Sequence, residues 1–191
     1  MKNLLLLISL IFIITSCELF TARDSEEPNS LSSSLVPATT PDILFSNFKT
    51  SVESKIVENY LACFVDQTSL QKKYSFIASS GSRVQFPVLS SWGIEAERQY
   101  FNNIKTLSLS GNSITLKLSN QINTPLGDSA LYQFDYLLSI QTKDQTITGD
   151  YQGTAQFKIY LDSRNQWVIV SWEDLRKDNL RSWSDLKGRM Y

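Results

Sequence analysis

The residues of this chain whose types could do chemistry are few. They are the cysteines Cys17 and Cys63, the carboxylate Asp135 among Tyr132, Phe134 and Tyr136, and Asp66 beyond Tyr60. None has a histidine to work with, because the 191 residues contain none. That excludes Ser-His-Asp and Cys-His catalysis and the commonest zinc sites. The cysteines are not spaced as metal ligands. The acids form no alternating run around a glycine of the kind a calcium loop needs. No metal, cofactor or catalytic residue is therefore expected. Alternation along a strand turns Asp135 to the face opposite the aromatic residues, where water solvates it. Asp66 reads as a polar residue at a helix end, and Tyr60 as a core aromatic with its hydroxyl at the rim. Cys63 lies beside an apolar stripe and reads as a small buried hydrophobe.

The elements that must position these residues follow from hydrophobic period. Thr40-Pro41-Asp42 is a helix start: a hydroxyl cap, proline in the first turn, and an acid where the helix dipole favours it. Leu44, Phe48 and Val52 continue it with an apolar face. A second helical pattern in KIVENYLACFVD buries Ile56, Val57, Tyr60, Leu61 and Phe64. YSFIAS reads as a short strand followed by a Ser/Gly loop. GIEAERQYFNNI carries a third helix, with Ile94, Tyr100, Phe101 and Ile104 inward. The period then changes to two. Four alternating stretches follow, from Ile114, from Tyr132, from Ala155 and from Trp167. In the last, Val168, Val170 and Trp172 are expected opposite Trp167 and Ile169. Turns are expected at residues 143–145 and 163–165. Near the C-terminus Ser182 and Asp185 form a capping-box pattern, and Gly188 reads as the helix end. Helices first and long antiparallel strands later is an α+β order.

The N-terminus is of a different kind. Met1-Lys2-Asn3 precedes the apolar run Leu4–Ile14, which is too short for a comfortable membrane span of ~20 residues. Ile14-Thr15-Ser16-Cys17 resembles the lipobox of bacterial lipoproteins. The resemblance implies a signal peptide over residues 1–16, cleavage before Cys17, and acylation of that cysteine. Residues 17–39 are rich in Ser, Thr, Pro and acids and read as a tether. A coil of this length has a root-mean-square span of roughly 25 Å. Lipidation implies a protein held on a bacterial envelope membrane without a transmembrane helix, since two or more acyl chains hold firmly. Glu18, where an Asp would favour the inner membrane, slightly favours a periplasm-facing outer membrane. With 18 Lys and Arg against 19 Asp and Glu, nucleic acid is not an expected partner.

From about Pro41 to Trp172 the chain resembles the cone-shaped α+β family named for nuclear transport factor 2 (NTF2), which includes ketosteroid isomerase. The residues that carry this are TPDILFSNFKTSVESKIVENYLACFVD at the start and GTAQFKIYLDSRNQWVIVSWED at the close. The resemblance implies N-terminal helices packed on a curved, mostly antiparallel four-stranded sheet within a domain over residues 40–191. It also implies an interior pocket, here lined by Tyr60, Tyr132, Phe134, Tyr136, Phe157 and Trp167. No motif matches the family's isomerases residue by residue, so none of their catalytic residues is carried over. Two functions are expected. One is a non-catalytic module that binds a protein partner or an apolar small ligand, with homodimerisation through the sheet face a further option. The other is an isomerase- or dehydratase-like enzyme using the cone. An open apolar pocket holding a buried carboxyl would favour the enzyme; a filled cone would leave recognition at the surface.

Overall fold

The computed structural model describes residues 35–191 except Asn112. Cys17, the leader and the tether up to Ser34 lie outside the described residues. Helix α1 (Pro41–Ser54) begins as its cap predicts, with Thr40 Oγ1 accepting from the Ile43 N–H at 3.3 Å. It ends at Lys55, which sits in the left-handed region at φ 58°. That conformation is unfavourable for a residue with a Cβ. It aims the Lys55 ammonium at the Leu109 and Gly111 carbonyls and the Ser113 hydroxyl, which tie the helix end to the turn before the sheet.

Helix α2 (Val57–Ala62) is shorter than its apolar period implies. The chain beyond it leaves the helix to pair with a strand: the Val65 N–H donates to Ile169 and the Ile169 N–H to Cys63, each at 2.9 Å. Strand β1 (Ser75–Ile77) follows. The expected Ser/Gly loop instead forms helix α3 (Ser80–Gln85) and a 3-10 turn at Pro87–Ser91. Helix α4 (Ile94–Leu107) then precedes four long strands, β2 (Ile114–Pro125), β3 (Ser129–Ile140), β4 (Gly149–Leu161) and β5 (Trp167–Arg176). Helix α5 (Trp183–Met190) closes the chain with the predicted capping box.

The sheet has five strands, in the order β1-β5-β4-β3-β2. The long four form the expected antiparallel meander. The fifth is β1, which joins β5 in parallel through Phe76 opposite Trp172. Bulges bend the sheet, since an extra residue in one strand increases local twist. One lies between Ser119 and Ile122 of β2, where Asn120 takes φ 53°. The other lies on β5, where Ser171 pairs with Lys158 and Ile169 with Ile159, leaving Val170 over. This bulge corrects the expected alternation. Ile169 and Trp172 both end on the buried face, opposite Ile159 and Phe157 of β4. Strand β3 obeys simple alternation, with Tyr132, Phe134, Tyr136, Leu138 and Ile140 all buried.

Candidate functional site

The site to test is the interior between the helices and the buried face of the sheet. Helix α1 delivers Phe45 and Phe48 into it. The Phe45 ring lies 5.0 Å from Tyr132, 4.7 Å from Phe134 and 5.3 Å from Phe157. The Phe48 ring lies within 6.0 Å of Tyr60, Phe157, Trp172 and Trp183. Tyr60 stacks on Phe101 at 3.9 Å, and Trp172 meets Trp183 edge-on at 4.6 Å. Such tilted and edge-on ring pairs are favourable beyond their burial. The cone is filled by rings, and α5 contributes one of them. The Trp183 indole donates to the Tyr100 hydroxyl, and the Trp183 backbone N–H to the Tyr136 hydroxyl, each at 2.7 Å.

Five of the six residues expected to line a pocket are brought into this interior: Tyr60, Tyr132, Phe134, Tyr136 and Phe157. Trp167 stands apart. It is half-buried beside a groove of about 160 Å³ that Leu35–Ala38 also line, and its backbone N–H donates to Ala38 at 2.8 Å. The Tyr60 hydroxyl is not at a rim. Tyr60 is fully buried and donates to the Glu97 carboxylate. Asp135 lies on the other face, accepting from Asn120 and Thr154 at 2.8 Å, and these hydrogen bonds hold its carboxyl below the usual range. Asp66 caps its own turn by accepting from the Thr68 N–H and hydroxyl, far from any pairing with Tyr60. Burial pushes the Cys63 thiol up to about 12, so it is no nucleophile at neutral pH.

The charged groups of the interior are ones that the sequence reading missed. Glu97 of α4 and Lys187 of α5 are both fully buried and form an ion pair. The carboxylate also accepts from the Trp92 indole at 2.7 Å and from the Tyr74 hydroxyl at 3.0 Å. Burial lowers Lys187 to about 8, against the pull of Glu97 upward. Burial and the Glu97 charge together raise the phenols of Tyr60, Tyr74 and Tyr100.

A second cluster centres on Asp174 of β5. It accepts from the Tyr136 hydroxyl at 2.7 Å, from the Ser184 N–H at 2.7 Å and from the Ser184 hydroxyl. Burial raises its carboxyl, opposed by those same donors. Nearby, Asp185 pairs with Arg176 and accepts from Ser82 at 2.7 Å. A signal for these groups existed. Glu97 stands at the helical spacing of Phe101 and Ile104, Asp174 two residues from Trp172, and Lys187 four from Trp183, all on buried stripes.

A buried carboxyl with a raised pKa beside a tyrosine is the raw material of acid–base catalysis. Here its donors are groups of α5 and the cone wall. The larger surface groove, about 490 Å³, is lined by Leu61, Phe64, Asp66, Tyr74, Arg98 and Arg164 among others. A smaller one, about 170 Å³, is lined by Ile122, Leu131, Gln133 and Gln156 together with Tyr132 and Phe157, two of the residues expected to line a pocket. Neither is lined by Glu97, Asp174 or Lys187.

Comparison of this architecture with solved structures decides the fold. A provisionally named aromatic ring hydroxylase from Novosphingobium aromaticivorans superposes with TM-score 0.56 at 15% identity, over 76% of this chain and 92% of that one. A provisionally named dehydratase from the NTF2-like family of Streptomyces avermitilis gives 0.54 at 12%, over 70% and 90%. A provisionally named scytalone dehydratase, again from Novosphingobium aromaticivorans, gives 0.54 at 14%, over 74% and 89%. The fold is NTF2-like. At these identities the likeness extends to the NTF2-like architecture and not to the chemistry of its members. No family model matches the sequence, and no curated protein matches it.

Proposed function

We propose that this chain is a lipid-anchored protein of the bacterial cell envelope whose NTF2-like domain is a non-catalytic binding module. Acylated Cys17 attaches it to the membrane, with the periplasmic side of the outer membrane favoured. The residues after Cys17 tether the domain as far as Leu35–Ala38, which already pack on it beside Trp167. Recognition takes place at its surface, with a protein as the partner; the outer sheet face, where Ile122, Leu131 and Leu137 are exposed, also offers a route to a homodimer.

The observation that carries this reading is the filled cone. Ring on ring occupies the volume where a substrate would sit, and the buried carboxylates Glu97 and Asp174 are engaged by the protein's own donors. The enzyme reading rests on one feature, the pairing of Asp174 with Tyr136. Catalysis there needs a reacting atom within hydrogen-bond reach. The protein's own Ser184 stands in that place.

Titration of the native protein with an apolar fluorescent probe such as 1-anilinonaphthalene-8-sulfonate tests the point. No saturable enhancement is expected below the unfolding transition. Stoichiometric binding that is lost on Phe45→Trp, which would enlarge a ring inside the cone, would replace surface recognition by an interior ligand site.

A further inference from the structure

Lys187 has surroundings that a simple buried ion pair does not require. Its ammonium lies 4.1 Å from the centre of the Phe76 ring, 4.2 Å from Trp172, 4.9 Å from Tyr100 and 5.3 Å from Trp92. All four distances fall inside the ~6 Å at which a ring face attracts a cation. The Glu97 carboxylate closes the remaining side by accepting from Nζ with both oxygens. Tyr74 and Trp92 in turn hydrogen-bond Glu97, as does Tyr60. These donors fix its direction.

The origin of the parts is what matters. Phe76 belongs to β1, Trp92 to the segment between the 3-10 turn and α4, Glu97 and Tyr100 to α4, and Trp172 to β5. Every wall of the cage is supplied without α5. Helix α5 supplies the cation, while its Trp183 braces two of those walls from behind, against Trp172 and the Tyr100 hydroxyl. The cage is thus a complete receptor, and Lys187 sits in it as a ligand does. Ring faces with one carboxylate are the chemistry by which proteins bind organic ammonium ions.

We propose that this cage is an alkylammonium-binding site, occupied in the structure by the protein's own Lys187. The ligand class it fits is a primary alkylammonium head on a straight aliphatic stem. Helix α5 is its internal competitor. A carboxylate alone would accept any small cation, and an apolar hole alone would accept any neutral chain of the right length. The rings and carboxylate together select the organic cation over both.

The experiment is chemical complementation in the full-length chain in detergent. Lys187→Ala removes three carbons and the ammonium, so n-propylammonium is the matching probe, with n-propanol as its neutral isostere and sodium as the inorganic cation. Thermal unfolding is followed against the concentration of each, at constant ionic strength. The expected result is a saturable rise in Tm with n-propylammonium, and an apparent affinity at least about tenfold above that for propanol, the factor that cation–π and charge pairing in a desolvated site supply. The rise should disappear in Glu97→Gln/Lys187→Ala. Equal effects of propylammonium and propanol would reduce the site to an apolar hole. Equal effects of propylammonium and sodium would reduce it to a bare carboxylate. No effect of any probe would likewise overturn the proposal. If Lys187→Ala does not fold unaided, its refolding yield in the same three solutes reads the same choice.

Discussion

At the scale of single residues the most consequential pair is Glu97 and Lys187. Each is fully buried, and an ion in a protein interior loses several kcal/mol of hydration unless partners replace it. Removing one partner is therefore far worse than removing both. Glu97→Gln leaves the Lys187 ammonium buried without its counter-charge and is expected to lower the unfolding free energy by about 3–5 kcal/mol. Glu97→Gln/Lys187→Met is expected to recover much of this loss, because methionine fills the same stem volume with no charge. Urea unfolding at constant slope reads both values. A single variant within ~0.5 kcal/mol of wild type, the range of an indifferent surface change, would contradict the buried pairing. Asp135 shows the opposite case. Its neighbours in sequence are aromatic, yet strand parity alone keeps it outside and harmless.

At the scale of elements, α5 teaches the clearest lesson. By sequence Gly188 reads as the residue that ends a helix, since glycine favours the left-handed turn that follows. In the structure the helix runs through it to Met190. Gly188 is there for space: a Cβ at this position would lie 2.7 Å from the Phe86 Cβ and closer still to the ring. Two effects then compete in Gly188→Ala. Helix propensity favours alanine by about 1 kcal/mol. Overpacking against a ring held by its own backbone costs about 1–3 kcal/mol. The second is expected to win, giving a net loss of stability in urea unfolding. Adding Phe86→Ala removes the clash, so Gly188→Ala should become stabilising in that background. A gain from Gly188→Ala alone would mean that Phe86 moves freely and does not wedge α5. Strand β5 makes a related point, because the bulge at Val170 lets both Ile169 and Trp172 face inward.

At the scale of the whole molecule the question is where the domain works. The proposed answer depends on Cys17 and not on the cone. Cys17→Ser is expected to abolish labelling by a clickable palmitate analogue and to leave a precursor longer by the 16 residues of the leader. Gel mobility, mass spectrometry and membrane fractionation of cells expressing either form check this. Processing of the serine variant at the same site would argue for an ordinary secretory leader. A firmly docked α5 suits such a protein. With Trp183 and Leu186 buried, the domain presents its outer surface as long as α5 stays docked over the ammonium cage.

Much of the fold is legible in the residues because periodicity reports local burial. The helix start at Thr40, the aromatic face of β3, the turn at residues 163–165 and the capping box of α5 are each set by residues within a few positions of one another. The missing histidine and the spacing of the two cysteines likewise exclude chemistries without any coordinates. Other features were out of reach because their causes are distant. Helix α2 stops early to pair Val65 with Ile169, and β1 enters the sheet only because β5 offers it an edge. Glu97 and Lys187 stand 90 residues apart. Each on its own looks like an ordinary charged residue on an amphipathic helix. A buried charge is tolerable only when its partner arrives, and that arrival is decided by how α4, β5 and α5 close on one another. The sequence by itself determined where the long helices and strands lie and which face β3 buries; the tertiary structure alone decided the early end of α2, the bulge of β5 and the closure that fills the cone and traps an ammonium inside it.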